Sequence, residues 1–168
     1  MQQQNQSIAV TDSRPYPPIK VYRKNLKYAN MILPSLRHQS SELTAITGYL
    51  YQAWILAKHH KKISDLLLRL AKVEMHHIQM LGQLITLLGG DPKFANNACE
   101  CWSGEALDYC KDLRQIFYSN RKAEEEAADF YLETAEQIDD PSVCAVLNRI
   151  ALDEQLHAGI FKNLLKKY

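Results

Sequence analysis

The sequence predicts an all-α protein built as a four-helix bundle, two antiparallel hairpins joined by a long crossover. Three observations predict it. Four long stretches repeat apolar residues at steps of three and four, the spacing of one buried face of a helix. Short turn signals separate the first stretch from the second and the third from the fourth, whereas the middle connection is long and aperiodic. A Glu-x-x-His recurs at the same place in each half, as Glu74–His77 in the second stretch and Glu154–His157 in the fourth.

Length and composition set the frame. A chain of 168 residues is long enough for one domain with a substantial core and short for two. A net charge of +1 points to neither nucleic acid nor an anionic membrane as partner. No apolar run approaches the length of a membrane span, and the N-terminus lacks the basic-then-apolar form of a signal peptide. The expected setting is therefore the cytoplasm.

Residues 1–25 read as an extended N-terminal arm, and residues 26–168 as the bundle domain. The arm opens on a Gln/Asn-rich run and continues through Arg14-Pro-Tyr-Pro-Pro18, which its prolines extend. Tyr16, Ile19, Val21 and Tyr22 are suited to packing along the domain. Leu26–Leu33 is a short apolar helical piece, which Pro34 interrupts or restarts.

The first long helix starts between Pro34 and Ser41 and runs to about Lys58, with the stripe Ser35, Gln39, Glu42, Ile46, Tyr49, Ala53 and Leu56. Lys58-His-His-Lys-Lys62 is its solvated turn. The second begins near Ser64 as N-cap, with Asp65 in its first turn. Its stripe is Ile63, Leu67, Leu70, Glu74, His77, Leu81, Leu84 and Leu88. Gly89-Gly90-Asp91-Pro92 stops it. Residues 89–103 form the crossover. The third helix starts near Ser103 and runs to Ile138, with the stripe Leu113, Phe117, Asn120, Glu124, Ala127, Tyr131, Thr134 and Ile138. Asp140 caps the fourth, with Pro141 at its first position. The fourth runs to the C-terminus along Val143, Leu147, Ile150, Glu154, His157, Phe161 and Leu164.

Six residues on these stripes are candidate metal ligands: Glu42, Glu74, His77, Glu124, Glu154 and His157. Residues three apart on a helix share a face, so each Glu-x-x-His aims a carboxylate and an imidazole the same way. In an antiparallel hairpin, residues equally far from the turn lie side by side. Glu42 and Glu74 are equidistant from the first turn, and Glu124 and Glu154 from the second. Both pairs can therefore be level, a coincidence that ordinary core packing does not require. A lone Glu at such a position is more often a surface charge, and a lone His a satisfied core residue. The six taken together are different. Burying even one unpaired carboxylate costs on the order of several kcal/mol. Four at one point would overwhelm a fold stable by about 5–15 kcal/mol. Two divalent cations would neutralise them, and this donor set suits iron, manganese or zinc.

Three further residues are expected to touch ligands rather than metal. Tyr49 and Tyr131 each follow the lone Glu of their half by seven residues. Asp153, beside Glu154, can accept a hydrogen bond from His77 of the facing helix and so fix its tautomer. The second helix has Val73 in the matching place, so the halves differ there. Glu125 and Glu126 fall off the stripe and read as solvated. The four cysteines, Cys99, Cys101, Cys110 and Cys144, lack a Cys-x-x-Cys pair and read as reduced thiols.

A Glu, a Glu-x-x-His, a second Glu and a second Glu-x-x-His on four helices resemble the pattern of the ferritin-like di-iron and di-manganese carboxylate proteins. The resemblance covers roughly residues 35–165. Locally, Val73-Glu-Met-His-His77, Leu88-Gly-Gly-Asp-Pro92 and Asn148-Arg-Ile-Ala-Leu-Asp-Glu-Gln-Leu-His157 are similar to the rubrerythrin and manganese-catalase branch. The resemblance implies a ferritin-like bundle, two iron or manganese ions on the six residues above, and redox chemistry on hydrogen peroxide or dioxygen, catalase-like or peroxidase-like. Within that reading Glu74 and Glu154 bridge or flank the metals, and Glu42 and Glu124 are terminal. It also implies a homo-oligomer, dimer or larger. The chain departs from rubrerythrins proper, which carry two Cys-x-x-Cys pairs and a further Glu where Ala127 stands. It is also shorter than full manganese catalases. Two other functions fit the same bundle: a metal-storage subunit with a ferroxidase site, and a coat or assembly protein whose metals only stabilise the fold.

Overall fold

A computed structural model describes residues 8–95 and 102–168. Cys99 and Cys101 lie outside the described residues. Four long helices carry the architecture: α3 (Glu42–Leu56), α4 (Lys61–Leu87), α5 (Leu113–Glu136) and α6 (Pro141–Lys167). They are preceded by two short ones, α1 (Leu26–Ile32) and α2 (Pro34–Arg37). α3 packs chiefly on α4, and α5 on α6, giving two hairpins joined by the 88–112 connection.

Local chemistry sets most of the ends. Asn25 caps α1, its side chain accepting from the amides of Lys27 and Tyr28. Pro34 restarts the chain as the first residue of α2. α4 ends in a Schellman turn: the Gly90 amide donates to the Ile85 carbonyl at 2.9 Å, and Gly89 takes a φ of 89°. A Cβ on Gly90 would lie 2.8 Å from the Ala29 Cβ, so its glycine lets α1 sit against the end of α4. Asp140 caps α6 by accepting from Ser142 and Val143, with Pro141 first in the helix.

Three boundaries differ from expectation. α3 begins only at Glu42, because the chain turns between α2 and Ser41; Gln39, assigned to the buried stripe, is exposed in that turn. α4 begins at Lys61 with His60 at the N-cap, so Ser64 is a buried residue inside the helix and caps nothing. Asp65 instead pairs with Lys61 one turn back. α5 begins ten residues later than Ser103. Only a 3-10 turn, Gly104–Ala106, forms near that point, and the helix waits for Asp112, whose side chain accepts from the Gln115 amide.

Two apolar blocks flank a polar middle. One gathers Leu81 and Leu84 of α4 and Leu88 just past its end with the N-terminal half of α6 (Val143, Leu147, Ile150). The other gathers Ile63, Leu67 and Leu70 of α4 with Phe117 of α5 and Phe161 and Leu164 of α6. Along both α4 and α6 the Glu-x-x-His falls between these blocks, so the core closes above and below it. Residues 8–25 form no helix. Tyr16, Ile19 and Val21 pack against the first block, while Tyr22, expected to pack too, is 87% exposed. Among the described residues, no helix is long and apolar enough to cross a membrane.

Candidate metal centre

All six candidate ligands are buried, and their side chains converge on the middle of the bundle. They form two overlapping groups. Glu42, Glu74, His77 and Glu154 make one, and Glu74, Glu124, Glu154 and His157 the other; in each, one donor atom per residue lies within 4.8 Å of all the rest. Glu74 and Glu154 belong to both. Glu74 turns Oε2 to His77 Nδ1 at 2.8 Å and Oε1 to His157 Nδ1 at 2.9 Å. Glu154 turns Oε1 to His77 Nδ1 at 2.9 Å and Oε2 to His157 Nδ1 at 3.4 Å. Glu42 approaches only His77, at 3.8 Å, and Glu124 only His157, at 3.7 Å.

The secondary structure makes this arrangement possible. Glu42 is the first residue of α3 and Glu74 lies midway along α4, so the tight 57–60 turn sets them level. The 137–140 turn does the same for Glu124 and Glu154. The i, i+3 spacing then stacks each imidazole over its own helix's carboxylate.

Around the centre, the tyrosines cross between halves. The Tyr49 hydroxyl on α3 donates to Glu124 on α5, and the Tyr131 hydroxyl on α5 donates to Glu42 on α3. His77 Nε2 lies 3.1 Å from Asp153 Oδ2. Glu125 and Glu126 are exposed beside Arg121 and Lys122. Cys110 and Cys144 are free, half-buried thiols away from the cluster.

Several neighbours carried no recognisable signal. Gln52 and Asn120 form a buried reciprocal amide pair, at 3.1 and 2.8 Å, on the wall of the site. His157 Nε2 lies 2.8 Å from the Val10 carbonyl, an acceptor that any residue could supply. Arg149 pairs with Asp153 at 2.8 Å, and the i, i+4 spacing could have suggested it.

Burial and the mutual charge of the six side chains shape the electrostatics of the cluster. Burial pushes the Glu42 carboxyl up to about 8, and the Glu154 carboxylate acts in the same direction. Glu124 rises well above the usual range for the same two reasons. In Glu154 burial also works upward, but the neighbouring imidazoles of His77 and His157 hold it well below the usual range. Glu74 is lowered by His157 and His77 against burial and Glu154. Burial opposes charging of the imidazoles, yet Glu154 and Glu74 raise His77 well above its ordinary value, and Glu74 and Glu124 do so for His157.

Without cations, protons favoured on Glu42, Glu124, His77 and His157 would balance the carboxylates of Glu74 and Glu154. Two divalent cations would balance the same six side chains with four ionised carboxylates and two neutral imidazoles. The residues fit such ions in a second respect. Glu74 Oε1, Glu154 Oε1 and His157 Nδ1 are buried and face the cluster; Glu74 Oε1 lies 2.9 Å from His157 Nδ1 and Glu154 Oε1 2.9 Å from His77 Nδ1, yet none of the three has a neighbour aligned for a hydrogen bond. A buried lone pair left unpaired costs about 1–3 kcal/mol; a coordinated cation would remove that cost.

A cavity of about 380 Å³ reaches the carboxylates of Glu42, Glu74, Glu124 and Glu154. It extends to Ser40 and Asp108, which are exposed.

The sequence pattern of the rubrerythrin family matches residues 38–165, a span that holds all six candidate ligands. A probable manganese catalase of Clostridium acetobutylicum is 24% identical over 170 residues, covering 89% of this chain and 75% of that one. Among solved structures, a manganese catalase from Anabaena superposes with a TM-score of 0.82 at 21% identity, covering 93% of this chain and 78% of that one. The bacterioferritin of Desulfovibrio desulfuricans superposes with a TM-score of 0.71 at 21% identity, covering 83% of this chain and 78% of that one. The fold is thus a ferritin-like helical bundle, and the chain belongs to the rubrerythrin family.

Proposed function

We propose that this chain holds two iron or manganese ions on Glu42, Glu74, His77, Glu124, Glu154 and His157 and disproportionates hydrogen peroxide. The observation that carries the reading is the sharing of Glu74 and Glu154 between two four-residue groups, each with its own imidazole and its own outer carboxylate. That is the donor set of a paired centre rather than of two separate sites. Similarity to manganese catalases in sequence and fold supports the choice of reaction.

The reaction is self-contained. One peroxide is oxidised to dioxygen while a second is reduced to two waters, so no outside donor is needed. Bound metals would supply the redox capacity for both halves. The protein's own part is positioning. Glu74 and Glu154 each present one oxygen to either half, which suits them to bridge, whereas Glu42 and Glu124 serve one half each. Tyr131 and Tyr49 hold these outer carboxylates by one oxygen. The apolar blocks on either side close the ends of the centre to water, and the cavity leaves a route for a small oxidant.

The test is dioxygen release from peroxide by protein loaded with manganese(II) or iron(II). The expected result is release of one dioxygen per two peroxides without added reductant. Peroxide loss only with a thiol or other donor would replace disproportionation by a peroxidase reaction. No loss under either condition, with metal bound, would overturn the enzymatic reading. Assembly into a particle of many subunits would then favour metal storage.

A further inference from the structure

The two imidazoles are supported from outside the bundle by one short stretch of chain. The Val10 carbonyl stands 2.8 Å from His157 Nε2. A carbonyl only accepts, so His157 carries its proton on Nε2, which leaves the Nδ1 lone pair for the cluster. On the other imidazole, Nε2 of His77 faces Asp153. That carboxylate is in turn held by the same stretch: the Asp12 amide donates to Oδ1 at 2.6 Å, and the Tyr16 hydroxyl donates to Oδ2 at 2.5 Å.

Arg149 locks the stretch in place. Its Nε donates to the Arg14 carbonyl at 2.8 Å and its Nη2 to the Asp12 carbonyl at 3.0 Å, and its guanidinium stacks on the Tyr16 ring at 4.0 Å. Further out, Arg69 donates to the Ile8 carbonyl at 2.6 Å. A segment that merely covered apolar surface would not need to place an acceptor on one imidazole and two donors on the partner of the other.

We propose that residues 10–16 are a positioning strap for both imidazoles, so that metal affinity depends on a segment that supplies no ligand. The strap acts on the two halves differently. His157 is backed by a neutral carbonyl and His77 by a carboxylate, and a carboxylate partner makes an imidazole the stronger donor. The two metal positions are therefore inequivalent, the one at His77 being the tighter. The inference rests on the reading of the cluster as a di-metal centre.

The experiment is a cobalt(II) titration of the full-length chain against a competing chelator, followed by cobalt absorption. Wild type is compared with Tyr16→Phe and Arg149→Gln, and the unfolding midpoint of each metal-free protein is recorded. Partners of metal-bound imidazoles are worth about 10–100-fold in affinity. In wild type, two equivalents should bind in separable steps. Tyr16→Phe should weaken the tighter step several-fold to tenfold and leave the other within twofold. Arg149→Gln, which frees the strap and also removes the ion pair to Asp153, should weaken both, and the weakening of the His157 step is the part that reports on the strap.

Metal should also act back on the strap, since coupling of two binding events is reciprocal. Exchange of the Asp12 amide should slow when cobalt is added to wild type and should not slow in Tyr16→Phe. If both variants bind both equivalents like wild type, the strap has no positioning role, even if their metal-free forms melt earlier. Should Arg149→Gln not fold, Tyr16→Phe and the exchange measurement decide. Wild type that binds no cobalt would instead overturn the metal centre itself, and the strap with it.

Discussion

The phenol of Tyr49 donates to the carboxylate of Glu124, a ligand candidate from the opposite hairpin. Tyr131 returns the bond to Glu42, so each half of the bundle holds the outer carboxylate of the other. Burial and the Glu42 carboxylate raise the Tyr131 phenol well above its ordinary value, which keeps its proton available for donation. The consequence is mechanical as well as electrostatic: the hairpins are tied together at the level of the centre.

Removing either phenol should therefore be felt across the hairpins. A hydrogen bond to a charged group contributes about 1.5–3 kcal/mol. Tyr49→Phe and Tyr131→Phe should each lower unfolding free energy by about that amount when metal is bound, as measured by urea titration. A loss no larger than that of an exposed control, Tyr118→Phe, would mean the ties are idle.

The overlap of the two groups separates the effects of shared and unshared carboxylates. Plasma mass spectrometry of protein purified without chelator should find about two equivalents of iron or manganese in wild type. Glu154→Ala should remove nearly all of it, because both groups lose a member. Glu42→Ala should keep about one equivalent, since only the His77 group is broken. Equal losses in the two variants would contradict the sharing.

Loading should release protons. Glu42, Glu124, His77 and His157 all hold theirs more tightly than free side chains do. Each must give one up to a cation, so about four protons per chain should leave on full loading near neutral pH, measurable in weakly buffered solution. Release of two or fewer would show that the carboxyls are already ionised.

The metal-free protein should show the matching pH dependence. For the four raised groups the folded chain binds more protons than the unfolded chain. Their contribution is present at low pH and is lost as pH rises, from the ordinary carboxyl value of 4.5 to about 8 for Glu42 and above 6.5 for the imidazoles. Glu74 and Glu154 are lowered, so their contribution is lost as pH falls below 4.5. Melting temperature without metal should therefore peak in mildly acid solution and fall toward pH 8. With saturating manganese the fall should vanish, because the cations take over the balance of charge.

Away from the centre, Gly90→Ala tests the seat of α1. Its Cβ would sit 2.8 Å from the Ala29 Cβ and 2.9 Å from Ile85 Cγ2. Overpacking of this kind costs about 1–3 kcal/mol. The expected result is a lower urea midpoint with unchanged metal content.

What the sequence by itself determined was whatever depends on neighbours along one helix or across one tight turn. The 3.6-residue repeat marks the buried face, and every predicted stripe position of the second and fourth helices is buried. Equal spacing about the turns places the two Glu pairs level. Asp140 and Pro141 announced a helix start because capping is local chemistry. The start of α5 was not legible, since Ser103 and Asp112 are both competent caps and the choice depends on what the 88–112 connection packs against. Tertiary structure alone decided how the halves interlock. The exchange of tyrosines between hairpins, the Gln52–Asn120 pair and the clamp of Arg149 on Asp12 and Arg14 join residues far apart in sequence. The Val10 carbonyl is the limiting case. Its role comes from a backbone oxygen that every residue possesses, so only its position against His157, set by the packing of residues 10–16 on α6, makes it part of the site.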